Sequence, residues 1–224
     1  MLLNAKKTVL LVSNFTRIHQ FKPILTVPGN DEPIKVIQET KLLGYWLTAD
    51  LKPKKHVKFL ISKAVKRIWI IRRLKIVKCK TSDLIHIYIL LIRSILETSC
   101  QVFHSQLTEE DSDDIERIQK IVARIILGDQ YIDYSTALPL INLEPLKIRR
   151  EKLCLKFALK CLHNKTHSSL FVKNVSSDHY HRTLPIFVEP TCGTSRYQNS
   201  PVPYLTKLLN KYFHENPVKA SKIK

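Results

Sequence analysis

The chain has 224 residues, with 37 lysines and arginines against 19 aspartates and glutamates, a formal net charge of +18. That balance points to nucleic acid or an anionic membrane surface as partner and says nothing of fold. No apolar run reaches the roughly 18 residues that span a bilayer, which sets the membrane aside, and an apolar fraction of 44% with 25% charged residues excludes wholesale disorder.

In chain order, residues 9–13, 24–27, 34–37 and 41–48 read as short strands. They form a small antiparallel β region of hairpin links over about residues 8–48, with Pro28-Gly29-Asn30-Asp31 as a turn. From Lys54 the apolar period becomes helical. Val57, Leu60, Ile61, Ala64, Ile68 and Ile71 share one face, and Lys55, Lys58, Lys63, Lys66 and Arg73 fall on the opposite side. Trp69 falls among these cations, where amphipathic patterning does not place an indole. No acidic residue occurs between Asp50 and Asp83.

A second helix is expected from Ser82, as its cap, to Phe103, with Leu84, Ile87, Tyr88, Leu91, Ile95 and Leu96 facing the core. The acidic stretch from Thr108 to Asp114 opens a third helix that Gly128 ends. Residues 134–140 form a short helical piece. Residues 144–163 form a long helix with Pro145 in its first turn. Residues 164–198, with His179 and His181, read as irregular, and residues 203–212 as a last amphipathic helix before a basic tail. The fold class is α+β, mostly helical, with four to five packed helices after the β region.

Catalytic patterns are scarce. Asp113-Asp114 resembles a two-metal carboxylate pair, yet it stands at a helix start, where the helix dipole accounts for it. Cys100 with His104, and Cys154, Cys161 and His163, lack the close CxxC or HxxxH spacing of zinc sites. With four glycines in the chain there is no phosphate-cradling loop and no glycine-framed nucleophile. Five cysteines without tight pairs, and an amino terminus with lysines inside its apolar pattern, predict an intracellular, reducing location, nucleus or cytoplasm. The basic helix is the feature that survives: either a solvated charged face, or a surface for a polyanion.

An ordered set of short motifs runs along nearly the whole chain. It comprises Leu3-Asn4-Ala5-Lys6-Lys7-Thr8, Lys41-Leu42-Leu43-Gly44, His56 with Arg72-Arg73-Leu74, and Arg93-Ser94-Ile95-Leu96-Glu97. It continues with Ile115-Glu116-Arg117-Ile118-Gln119-Lys120, Ala137-Leu138, Arg149-Arg150-Glu151-Lys152-Leu153, Ser195-Arg196-Tyr197 and Ser200-Pro201-Val202-Pro203-Tyr204-Leu205. Together these resemble the carboxy-terminal part of reverse transcriptases from non-LTR (LINE-type, jockey-like) retrotransposons. Parts of the same segment are also similar to a stretch labelled as an AlkB-type DNA-repair amino-terminal domain, although the His-x-Asp…His pattern of an iron dioxygenase is absent.

The resemblance implies an end-of-palm β region over residues 1–50, with Lys6 and Lys7 at the palm's exit and Leu43 and Gly44 in a primer-grip-like hairpin. It implies a basic thumb-like helical domain over residues 51–165 and an irregular carboxy-terminal extension over residues 166–224. In this family the catalytic aspartates precede the matched segment. The chain is therefore expected to be a truncated remnant of an RNA-directed DNA polymerase, without catalytic residues or metal ligands and inactive alone. Magnesium is expected only with the complete polymerase. The implied partners are RNA or an RNA–DNA hybrid, with no membrane, and a separately supplied fingers and palm portion. The expected contacts are Lys55, Lys58, Lys63, Lys66, Trp69 and Arg73. A non-enzymatic basic helical interaction module with no nucleic-acid role is the alternative.

Overall fold

Strand pairing in the amino-terminal part is short-range with one exception. In the computed structural model, which describes residues 4, 7–15, 24–27, 30–174 and 185–217, three two-stranded pairs form. β2 (Thr26–Val27) pairs with β3 (Asn30–Pro33), and β5 (Glu39–Leu42) with β6 (Tyr45–Thr48), both antiparallel. β1 (Val9–Leu11) instead pairs in parallel with β4 (Lys35–Ile37). A meander of hairpins does not supply that pairing, because a parallel ladder needs a connection that crosses back rather than a tight turn. Lys6, the Pro28-Gly29 part of the expected turn, His179, His181 and the basic tail after Pro217 lie outside the described residues.

The expected single strand over residues 41–48 is in fact the end of the first arm, the tip and the second arm of the β5–β6 hairpin. Leu42 and Tyr45 are paired, leaving Leu43 and Gly44 as a two-residue turn with φ of 48° and 90°. Two positive φ values match the right-handed twist of hairpin strands. Glycine takes this region freely, but a leucine there costs about 1–2 kcal/mol, so nothing in the local sequence announces the turn at Leu43.

The chain is a mostly helical α+β protein in two compact units, Met1–Phe59 and Leu60–Lys224. In the first, the β5–β6 hairpin is clasped to the opening turns of α1 (Lys54–Ile76). The Trp46 amide donates to His56 Nδ1 at 3.4 Å, and the His56 and Tyr45 rings lie 4.2 Å apart. Trp46 meets Phe59 edge-on, and Lys41 sits over the Phe59 ring.

In the second unit, Leu60, Ala64, Ile68 and Ile71 of α1 are buried, as the apolar arc predicts. The expected second helix is interrupted twice. α2 (Thr81–Ile87) runs into a π-helical stretch (Tyr88–Arg93), then α3 (Ser94–Leu96), and a left-handed Ser99 separates α4 (Cys100–Phe103). The wider π turn moves burial from the predicted Leu91 to Ile92. The Leu91 carbonyl accepts from Arg67 of α1 at 2.9 Å. Lys80 precedes this helix without a side-chain cap, and the Ser82 hydroxyl turns to Asp83 instead.

α5 (Glu109–Leu127) and α6 (Tyr134–Leu140) follow the sequence closely. Thr108 accepts the Asp111 amide, Gly128 with φ of 59° stops α5, and Asp133 and Thr136 form a reciprocal capping box on α6. The Lys75 ammonium donates to the Ile126 carbonyl at 2.7 Å, satisfying the carboxy-terminal end of α5. α7 (Leu146–His163), α8 (Ser195–Gln198) and α9 (Pro201–Glu215) complete the unit, with α7 and α9 sharing a core of Cys154, Ala158, Cys161, Phe171, Phe187, Leu205, Leu209 and Phe213. Among the described residues no single helix is long and apolar enough to cross a membrane.

A polar network links α5 and α6 with the start of α7. Glu116 of α5 accepts the Leu146 amide at 3.0 Å and the Lys147 amide at 3.3 Å, so its carboxylate caps α7, whose own N-cap, Pro145, makes no side-chain cap bond. Tyr134 also donates to Glu116, and Gln119 donates to Tyr134 and to the Glu144 carbonyl while accepting from Tyr88. Arg149 grips Glu97 through Nε and Nη2 at 2.6 and 3.3 Å, with Arg93 at 3.8 Å on the same carboxylate. Arg150 is wholly buried and, among the described residues, has no carboxylate in hydrogen-bond contact; it donates to His104 Nδ1 and Ser112 Oγ. Four motif segments of the sequence analysis, around Arg93, Glu116, Ala137 and Arg149, thus meet in or beside one internal structure.

His104 is pushed down to about 4 from 6.5, by burial first and then by the Arg150 and Lys147 charges. Between these values the unfolded chain binds the proton and the folded one does not, so stability is complete above about pH 6.5 and is lost as the pH falls toward 4. Allowing for solvent screening, a loss of about 2 kcal/mol is expected over this interval. His104→Gln, which keeps an acceptor for Arg150 but does not titrate, should flatten that part of the stability–pH curve measured by urea denaturation.

Candidate nucleic-acid interface

The charge run of α1 separates into two populations once its surroundings are in place. Arg67 and Lys75 turn inward to the Leu91 and Ile126 carbonyls. Lys55, in the first unit, pairs with Glu39 and lies over the Trp46 ring at 4.2 Å, so it serves the hairpin clasp. Lys58, in the same unit, is exposed.

In the second unit Lys63, Lys66, Arg72 and Arg73 are exposed, and Trp69 is 60% exposed among them. Residues three and four apart are neighbours on a helix surface. Trp69 is therefore flanked by Val65 and Lys66 on one turn and by Arg72 and Arg73 on the next, with Val65 and Ile76 also exposed along the stripe. Among the described residues, Lys66, Arg72 and Arg73 form no ion pair. Their charge is directed to solvent, and an indole at their centre is available for stacking.

Sequence reasoning on the α1 face picked Lys66, Trp69 and Arg73 and passed over Arg72 as a contact. The signal for Arg72 was its i+3 spacing from Trp69. The spacing did not reveal the internal role of Lys55, because Glu39 and Trp46 reach it from the hairpin. Leu43, 98% exposed, and Gly44 form the hairpin tip in the first unit.

The two cysteine and histidine groupings meet only where Cys154 lies against Cys100, without forming a ligand set among the described residues. Cys100, Cys154 and Cys161 are buried thiols, the Cys154 thiol donating toward the Cys100 carbonyl at 3.9 Å. His104 accepts from Arg150, and His163 is exposed. Among the described residues no cluster of three or more His, Cys, Asp or Glu side chains is placed to hold a metal ion. Asp113 and Asp114 are exposed on the second turn of α5, past the Thr108 cap. No protein-family model, curated protein or solved structure matches this chain.

Proposed function

We propose that the chain binds nucleic acid, RNA or an RNA–DNA hybrid, through the phosphate backbone and without sequence preference. We read it as a segment akin to the end of the palm and the thumb of a non-LTR reverse transcriptase that does not polymerise by itself. The observation that carries this reading is the exposed trio of Lys66, Arg72 and Arg73, on a chain interval with no acidic residue between Asp50 and Asp83. A face of one sign, on a helix that carries no acidic residue, concentrates a polyanion and releases its condensed counterions on contact. The motif resemblance supports the same direction, since the region beyond the palm in that family holds the hybrid by its backbone.

The test is the salt dependence of binding to a labelled hybrid. Each phosphate contact contributes a slope of about −0.9 in log affinity against log salt on a duplex. Reversing Lys66, Arg72 and Arg73 to glutamate is expected to flatten the slope by about two to three and to weaken binding at least ten-fold, about 1.4 kcal/mol. Binding unchanged by the triple reversal sinks the proposal. Wild-type binding that vanishes at physiological salt favours the interaction module whose basic face serves only solubility.

A further inference from the structure

We infer that the α1 stripe takes unpaired nucleotides, one base stacking on the Trp69 indole while Lys66, Arg72 and Arg73 hold the neighbouring phosphates. This rests on the nucleic-acid reading above and narrows its ligand. A duplex turns phosphates and sugars toward a helix lying on its backbone and keeps base faces inside the stack. Against that wall a large exposed indole would shed its water without gaining a π partner. A single strand offers the face of a base, which every nucleotide carries, so stacking there tolerates any sequence.

The geometry suits a short strand. Trp69 stands three residues after Lys66 and three and four before Arg72 and Arg73, so cations lie one turn to either side of the ring. From Lys66 to Arg73 the helix rises about 10 Å at ~1.5 Å per residue. That matches about three stacked nucleotides at ~3.4 Å each. Val65 and Ile76, both exposed, continue the apolar stripe beside the ring, where sugar edges can lie. An acidic polypeptide would satisfy the cations equally well, but it gives no reason for an exposed indole at their centre.

The full chain would be titrated into a labelled oligothymidylate of about ten nucleotides and into a blunt duplex of equal length, with anionic vesicles and polyglutamate as competitors. The single strand is expected to bind tighter. Trp69→Ala is expected to lower its affinity about ten-fold, to leave duplex binding within about two-fold, and Trp69→Phe to keep most of the affinity. Because Trp69 is exposed, its loss should leave the thermal midpoint in place, which a melting curve checks. Equal losses on both nucleic acids, no loss on either, or stronger competition by vesicles or polyglutamate than by unlabelled oligonucleotide overturns the inference. Binding that falls on charge reversal but not in Trp69→Ala overturns this inference alone. No binding to any nucleic acid at low salt overturns the proposed function with it.

Discussion

Glu116→Ala is expected to destabilise the helical unit by about 3 kcal/mol or more, read as a fall in the urea midpoint of its far-ultraviolet circular dichroism. The carboxylate accepts the Leu146 and Lys147 amides and the Tyr134 hydroxyl, and its residue is almost fully buried. Hydrogen bonds to a charged group contribute about 1.5–3 kcal/mol each, and donors left unsatisfied away from water cost about 1–3 kcal/mol. A negative charge at the start of α7 also meets the positive end of its dipole. These contributions overlap, so the expected loss is far below their sum. Glu116→Gln should lose less, because one oxygen still accepts while the new amide opposes a backbone donor. Asp113→Ala, on the exposed side of the same helix, should stay within about 0.5 kcal/mol. If Glu116→Ala matched that control, the cap would have no energetic role and the order at the start of α7 would need another cause.

The contrast between Glu116 and Asp113 also shows what can be read from one chain. The helices α5 and α6 were legible because their ends are local chemistry: Thr108, Gly128 and Asp133 act within four residues of themselves. The role of Glu116 was not, since its partners lie about 30 residues away at the start of α7. Its one trace was a polar residue next to Ile115 on the buried arc of α5, an arc it shares with Gln119. The π turn at Tyr88–Arg93 was hidden for the same reason. The Leu91 carbonyl is satisfied by Arg67, a residue that sequence reading treats only as charge. In the β region, hairpins are local, but the parallel β1–β4 pair joins residues about 26 apart and carries no turn chemistry. On the candidate face, Trp69 was legible because an indole on the lysine side breaks the pattern. Which cations stay with it depended on distant carbonyls and on Glu39, and only the packed chain decides that.

Phe187→Ala should be the other severe substitution, at about 3–5 kcal/mol, although the residue sits in a segment that sequence alone reads as irregular. Its ring is wholly buried between Phe171 and Phe213, with centroids 6.2 and 6.1 Å away. Its backbone is held as well: the Asn210 side chain of α9 accepts the Phe187 amide and donates to the Phe187 carbonyl, each at 2.9 Å. An amide side chain thereby takes the place of a neighbouring strand, while the Val188 amide donates to Val172 and the Asn174 amide to Ile186, both at 2.8 Å. Polar backbone that enters a core has to be satisfied in this way. Removing the ring should therefore release α9 from α7, seen as earlier tryptic cleavage around α9 along with the lower midpoint. Asn210→Ala alone should cost about 1–3 kcal/mol by leaving the two backbone groups unpaired. The double variant should lose less than the sum, because both changes undo the same attachment. Fully additive losses would mean that the ring and the amide hold separate structures, and that α9 is anchored by Leu205 and Leu209 without Phe187.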